Sequence, residues 1–405
     1  MIFTSSPGLL PTSGPRTRTV RYSATIMETS SGVDVARVIR AYAATARTAL
    51  AADESPAVSY AGLWLLLASL APVVVEPAEF RDVFGLDPRE AKSAADRLLA
   101  EPHPAVAAAV GAWLRDGIVL SGPLPVTLQP LSGQAALDHW AQCQTRGLVE
   151  TFPLNLDVDT MLVLASALLV TPRWSSHVRY DDERDTLVLD GGLQSVAQTS
   201  MGPVAVARPM TEDGIDVISV IAAPNVPSAQ VWTAVDEVLD LLDEGGLANN
   251  TFPATMSDNE IQDGHSWTLT DVIREFWGDI PEEGAQVWET ELPAWAVTTT
   301  QDLVGAPGVE LVTDPIRARL PVDAEARCPQ RLTATYDDEG FSAAAVSAVG
   351  FIATGVPRRE ICTVRQVRVI FDRPHAVIAI ARGGAWDGVP LVQAWVDPKE
   401  SIRYE

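Results

Sequence analysis

The chain reads as an α+β protein, and three observations lead there. Apolar residues recur at three- and four-residue spacing through most of the first 150 positions. They then give way to short apolar or alternating runs punctuated by Gly, Asp and Pro. The two kinds of pattern do not alternate, which argues against a doubly wound parallel sheet. No internal repeat or linker interrupts residues 31–405, so a single large domain is predicted there. Residues 1–30, rich in Ser, Thr, Pro and Gly, are expected to be a disordered extension; they lack the basic start and apolar block of a signal peptide, and Met27 is a candidate true start.

Helical spacing covers residues 34–50 and 61–71, and residues 77–100 continue as short helices broken by Gly85 and Pro88. Residues 135–148, around Trp140, form another amphipathic helix. Thr160 to Val170 is a continuous apolar run of strand length, as expected for a strand buried on both faces, and it ends at Thr171-Pro172-Arg173-Trp174. Strands are predicted at 186–189, 204–208 and 216–222, then a helix from Trp232 to Leu242 that Gly245-Gly246 stops. Further strands are predicted at 290–298, 331–336, 364–371, 375–381 and 389–396.

Composition narrows the function. At 47% hydrophobic and 20% charged residues the chain can bury a large core. A formal charge of -24 repels polyphosphate and anionic lipid, so neither a nucleic acid nor a membrane is expected as partner. The longest apolar run, Ala61 to Val75, is too short to span a bilayer and contains Pro72. Cys143, Cys328 and Cys362 have no metal-ligand spacing; they suit a reducing, cytoplasmic compartment with no disulfide framework and no metal. Enzymatic activity is not expected either. No Gly-x-Ser-x-Gly nucleophile motif occurs, the five histidines lack His-Glu-x-x-His spacing, and no glycine loop is built to cradle phosphate, so no cofactor is expected. His375 lies in an apolar strand and reads as packed.

The most informative stretch is 337–349. Two aspartates, a glutamate and Gly340 lead through Phe341 into side chains no larger than valine. Helix propensity favours a helix across Ala343-Ala344-Ala345. Yet Ser342, Ala344, Val346 and Ala348 also alternate as a strand would, and all are small enough to slide between other strands. Such a segment suits exposure in one state and burial within a sheet in another.

It closely resembles the reactive-loop hinge of the serpins, and the rest of the chain extends the resemblance in order. Val58-Ser59-Tyr60-Ala61-Gly62-Leu63-Trp64 is similar to the serpin helix beneath the central sheet. Residues 160–168 followed by Trp174 resemble the third strand of that sheet and its breach tryptophan. Leu292-Pro293-Ala294-Trp295 with Gln301-Asp302-Leu303 matches the Leu-Pro-x-aromatic strand, and residues 371–377 and 392–398 resemble the two closing strands. The resemblance spans residues 34–398.

It implies a serpin fold of three β-sheets, eight or nine helices and an exposed reactive-centre loop. It also implies a monomeric suicide inhibitor of a serine endopeptidase. After attack on the scissile bond, the acylated loop inserts into the central sheet and traps the protease covalently. The hinge would be Gly340, Phe341, Ser342, Ala343, Ala344 and Ala345. Counting from Gly340 places the scissile bond at Thr354-Gly355, an arm of about 50 Å at ~3.3 Å per residue. Arg358 and Arg359 are alternative targets for a trypsin-like or dibasic-cleaving enzyme, in a stretch longer than the family's. Shutter positions fall on Ser59, Gly62, Ser166 and Gln330, where the family commonly has two serines, an asparagine and a histidine. Phe341 replaces the usual threonine and Ala394 a common glycine. These departures leave a non-inhibitory binding or structural serpin as the alternative.

Overall fold

In the computed structural model the described residues are 34–157, 159–253, 263–277, 282, 284–322, 324–341 and 359–399. From Val35 onward they belong to one compact unit. In chain order the helices are α1 (Val35–Ala49), α2 (Tyr60–Leu70), α3 (Pro77–Phe84), α4 (Pro88–Ala100), α5 (Gln134–Gln144), α6 (Ser228–Asp243) and α7 (Val309–Arg317), with two short 3-10 turns besides. The strands are β1 (Val106–Leu114), β2 (Gln129–Pro130), β3 (Leu162–Val170), β4 (His177–Asp181), β5 (Thr186–Asp190), β6 (Leu193–Thr199), β7 (Gly202–Arg208), β8 (Ile215–Ile221), β9 (Trp267–Trp277), β10 (Gln286–Leu292), β11 (Trp295–Asp302), β12 (Pro329–Tyr336), β13 (Arg359–Ile370), β14 (His375–Ala381) and β15 (Pro390–Val396).

The α+β class holds, and local chemistry explains most of the elements. In α2 the Ser59 hydroxyl caps the first turn by accepting from the Gly62 amide, and ten of the residues after it are buried, so this helix lies inside the molecule rather than on it. Asp87 and Glu90 form a capping box around Pro88 at the start of α4. Several elements differ from the sequence-based expectation. Residues 290–298 are two strands, because Pro293 ends β10 and the chain passes into a different sheet as β11. The last helix turn expected at 145–148 is absent from α5. The alanine-rich β1, which propensity would make helical, is a strand because β3 pairs with it over nine positions.

Among the described residues, hydrogen bonding joins the strands into four groups. One five-stranded sheet runs β4-β5-β10-β13-β9 and another β15-β14-β8-β7-β6, with α6 packed on the latter. The other two groups, β2-β1-β3 and β11-β12, are what the expected central sheet has become: no ladder joins β3 to β12. α2 packs beneath β3 and β15, while α5 covers the opposite face of β1 and β3 through Trp113, Trp140 and Phe152.

Candidate functional site

Between β3 and β12 lies a cavity of about 810 Å³, floored by Leu63, Leu66 and Leu67 of α2 and closed at one end by Phe341. Both strands point toward that end. Gly340 bridges Arg173 just past β3 and Phe341 bridges Tyr336 at the end of β12, each antiparallel, so β3 and β12 are parallel to one another. Among the described residues, therefore, no strand lies between the two edges beyond Phe341, where the chain that leaves β12 turns back between them.

The turn is built by Asp337. Its carboxylate accepts from the amides of Glu339 and Gly340 at 2.9 and 3.0 Å, and its own amide donates to the Gly340 carbonyl at 3.1 Å. Only glycine fits at 340, because a Cβ there would lie 2.5 Å from the Pro172 carbonyl oxygen. The Phe341 amide then donates to that same carbonyl at 3.2 Å.

Trp174 seals this corner. Its indole Nε1 donates to the Asp337 carbonyl at 2.9 Å, and its ring lies 5.1 Å from that of Tyr336. Phe341 is only 2% exposed, set edge-on to Trp295 and Tyr336 at 6.1 and 6.4 Å. The phenyl ring that replaces the family's usual threonine is thus buried in an apolar pocket. Burial holds the Tyr336 phenol well above its ordinary range, so this corner carries no charge from it.

About half-way along the gap, the four shutter positions meet in one network. Gln330 of β12 holds the Ser59 backbone twice, accepting from its amide and donating to its carbonyl, each at 2.8 Å. Ser166 of β3 donates to the Gly62 carbonyl at 2.6 Å, and the Ser59 hydroxyl donates to the Leu391 carbonyl at 2.6 Å. Gly62 itself is hemmed in: a Cβ would sit 3.3 Å from Ser59 Oγ, 3.6 Å from Ser166 Oγ and 3.8 Å from Gln330 Nε2. The first turn of α2 thus spans the parting and ties both edges to one helix.

Sequence reasoning gave no individual site role to Pro172, Trp295, Tyr336 or Asp337. Asp337 had a legible signal, an Asp-x-x-Gly turn signature. Of the expected hinge, Gly340 and Phe341 are placed as above, whereas Ser342, Ala343, Ala344 and Ala345 lie outside the described residues, as do Thr354, Gly355 and Arg358. The backbone of Arg359 is described: it pairs with Trp277 as the first residue of β13, five residues earlier than predicted, so a lengthened β9–β13 ladder takes up the surplus chain. Among the described residues no cluster of three or more His, Cys, Asp or Glu is placed to hold a metal.

No protein-family model matches the sequence, and no curated protein matches it. Solved structures do. A thermophilic serpin, tengpin, in its native state aligns with a TM-score of 0.58 at 10% identity, over 91% of this chain and 95% of that one. Thyroxine-binding globulin in complex with thyroxine aligns at 0.56 and 12% identity, over 89% and 98%. Serpin48, a highly specific serpin of the insect Tenebrio molitor, aligns at 0.54 and 13% identity, over 89% and 97%. At such identities the likeness speaks for architecture alone, and on that ground the chain has the serpin fold.

Proposed function

We propose that the protein inhibits serine endopeptidases as a suicide substrate, its cleaved loop inserting between β3 and β12 before the acyl-enzyme can hydrolyse. The observation that carries this reading is that, among the described residues, no ladder joins the parallel strands β3 and β12, while Gly340 and Phe341 are already bridged to both sides at one end.

Register adds support. Extending the Arg173–Gly340 and Tyr336–Phe341 bridges by one residue per step brings residue 347 level with Ser166 on one side and Gln330 on the other. Side chains directly opposite in a ladder share a face, so residues 343, 345, 347, 349 and 351 would point as Phe341 does, toward α2. They are Ala, Ala, Ser, Val and Phe. The one polar residue, Ser347, would thus arrive at the one polar station of the gap. Insertion gains about 0.5–1.5 kcal/mol per ladder hydrogen bond, over roughly a dozen bonds, besides apolar burial. A stall at a bulky or charged side chain would let the protease escape.

The same register favours Thr354-Gly355 over Arg358-Arg359 as the scissile bond. β3 ends its pairing at Leu162, which takes residue 351, so an arm ending at Thr354 overshoots by three residues and one ending at Arg358 by seven, about 13 Å more slack. Moreover, the Arg359 backbone is engaged in a ladder, whereas a protease must hold both sides of the bond it cuts in extended form.

A non-inhibitory binding role is the second reading, and buried Phe341 favours it by anchoring the hinge with an aromatic ring. Incubation with trypsin-, subtilisin- and elastase-like proteases distinguishes the two. An adduct that survives denaturing electrophoresis, with a released fragment beginning at Gly355, supports inhibition. Clean cleavage by every protease without an adduct removes it.

A further inference from the structure

A smaller cavity lies on the far side of the β1/β3 face, beside α5, and its chemistry is unlike that of the gap. It measures about 370 Å³ and is walled by Trp113, Gln129, Pro130, Ser132 and Trp140, with His139 and Cys143 at its mouth. No Lys, Arg, Asp or Glu lines it. The two tryptophan rings meet edge-on at 5.0 Å and make one corner of the wall apolar.

His139 and Cys143 are one helical turn apart, so they stand on the same face of α5. The Cys143 sulfur lies 3.5 Å from His139 Nε2, within hydrogen-bonding reach, and both side chains are exposed. At this distance the His139 ring nitrogen is placed to accept the proton of the Cys143 thiol as the sulfur reacts. Cys328 has none of this: it is mostly buried, and burial pushes its thiol up to about 12.

We propose that Cys143 is a reactive modification site for low-molecular-weight disulfides, with His139 as its base and the tryptophan-walled pocket as the seat for the incoming group. In the reaction the Cys143 thiolate attacks one sulfur of the disulfide. A new S–S bond forms as the old one breaks, and the departing thiolate takes the proton that His139 had accepted. No further oxidant is required.

The test uses the full-length reduced protein and oxidised glutathione, with adducts located by peptide mass spectrometry. The first glutathione is expected on Cys143, at a rate near pH 7 about tenfold above that of a free thiol of small peptides. His139→Gln should lower that rate about tenfold near pH 7, with most of the difference closing by pH 9, while leaving the melting temperature unchanged. Cys143→Ser should abolish the fast adduct. First modification at Cys328 or Cys362, or a His139→Gln rate equal to the parent's at both pH values, would overturn the proposal.

Discussion

Ser166 and Gln330 stand level on two strands that no ladder joins, each bound instead to the first turn of α2. Ser166 donates to the Gly62 carbonyl, and Gln330 holds Ser59 through both its backbone groups. The helix thus keeps the sheet halves at a fixed spacing without closing them. Their free edges are the cost of that arrangement, and the register derived above offers them one partner.

Gln330→Ala should weaken the protein by about 2–4 kcal/mol, because it leaves a half-buried amide and carbonyl of Ser59 without their partner. Equilibrium urea unfolding measures this directly. A loss under about 0.5 kcal/mol would show that water replaces the glutamine without penalty.

Gly340→Ala should cost about 1–3 kcal/mol, since the added methyl would fall 2.5 Å from the Pro172 oxygen and must displace the turn or the strand end. The same change should expose the Asp337–Phe341 turn to limited proteolysis. Unchanged stability with unchanged protection would mean that the bridge to Arg173 does not hold in solution.

Ser347→Arg tests the inserted register. The charge would arrive beside Ser166 and Gln330 with no acid to pair it, so insertion should stall. The variant is expected to be cut normally yet to form less than a tenth of the parent's covalent adduct. Equal adduct yield would place residue 347 elsewhere in the inserted strand.

His375 supplies a pH signature. Burial lowers its pKa from 6.5 to about 4, outweighing a hydrogen bond between its ring Nδ1 and the Arg373 carbonyl. Because the unfolded chain binds the proton first, stability is complete above about pH 6.5 and is lost as pH falls toward 4. The loss approaches ~3 kcal/mol at pH 4. His375→Gln should flatten unfolding free energy between pH 6.5 and 4; a slope equal to the parent's would assign the acid sensitivity to other groups.

Much of this was legible in the residues, for reasons that can be named. α2 and β3 are almost wholly apolar, as elements packed into a core are. The motif order carried the resemblance because each motif is local. What stayed hidden depends on distant partners. β1 is a strand because β3 lies beside it, against the propensity of its alanines. Phe341 looked like an obstacle because its pocket is assembled from Trp295 and Tyr336, which sequence cannot bring together. The parting of β3 from β12 is a missing contact, and local patterns carry no trace of one. The Cys143–His139 pair, by contrast, follows from helix periodicity alone once residues 134–144 are helical.

The most direct test of the central claim is the melting temperature of the protein after a single cut within residues 350–358, with both fragments retained. If the gap between β3 and β12 awaits a strand, about a dozen new ladder bonds at ~1 kcal/mol each should raise the midpoint by roughly 15 °C or more. A midpoint equal to or below that of the uncut protein would contradict the account, since the two edges would then have nothing to gain.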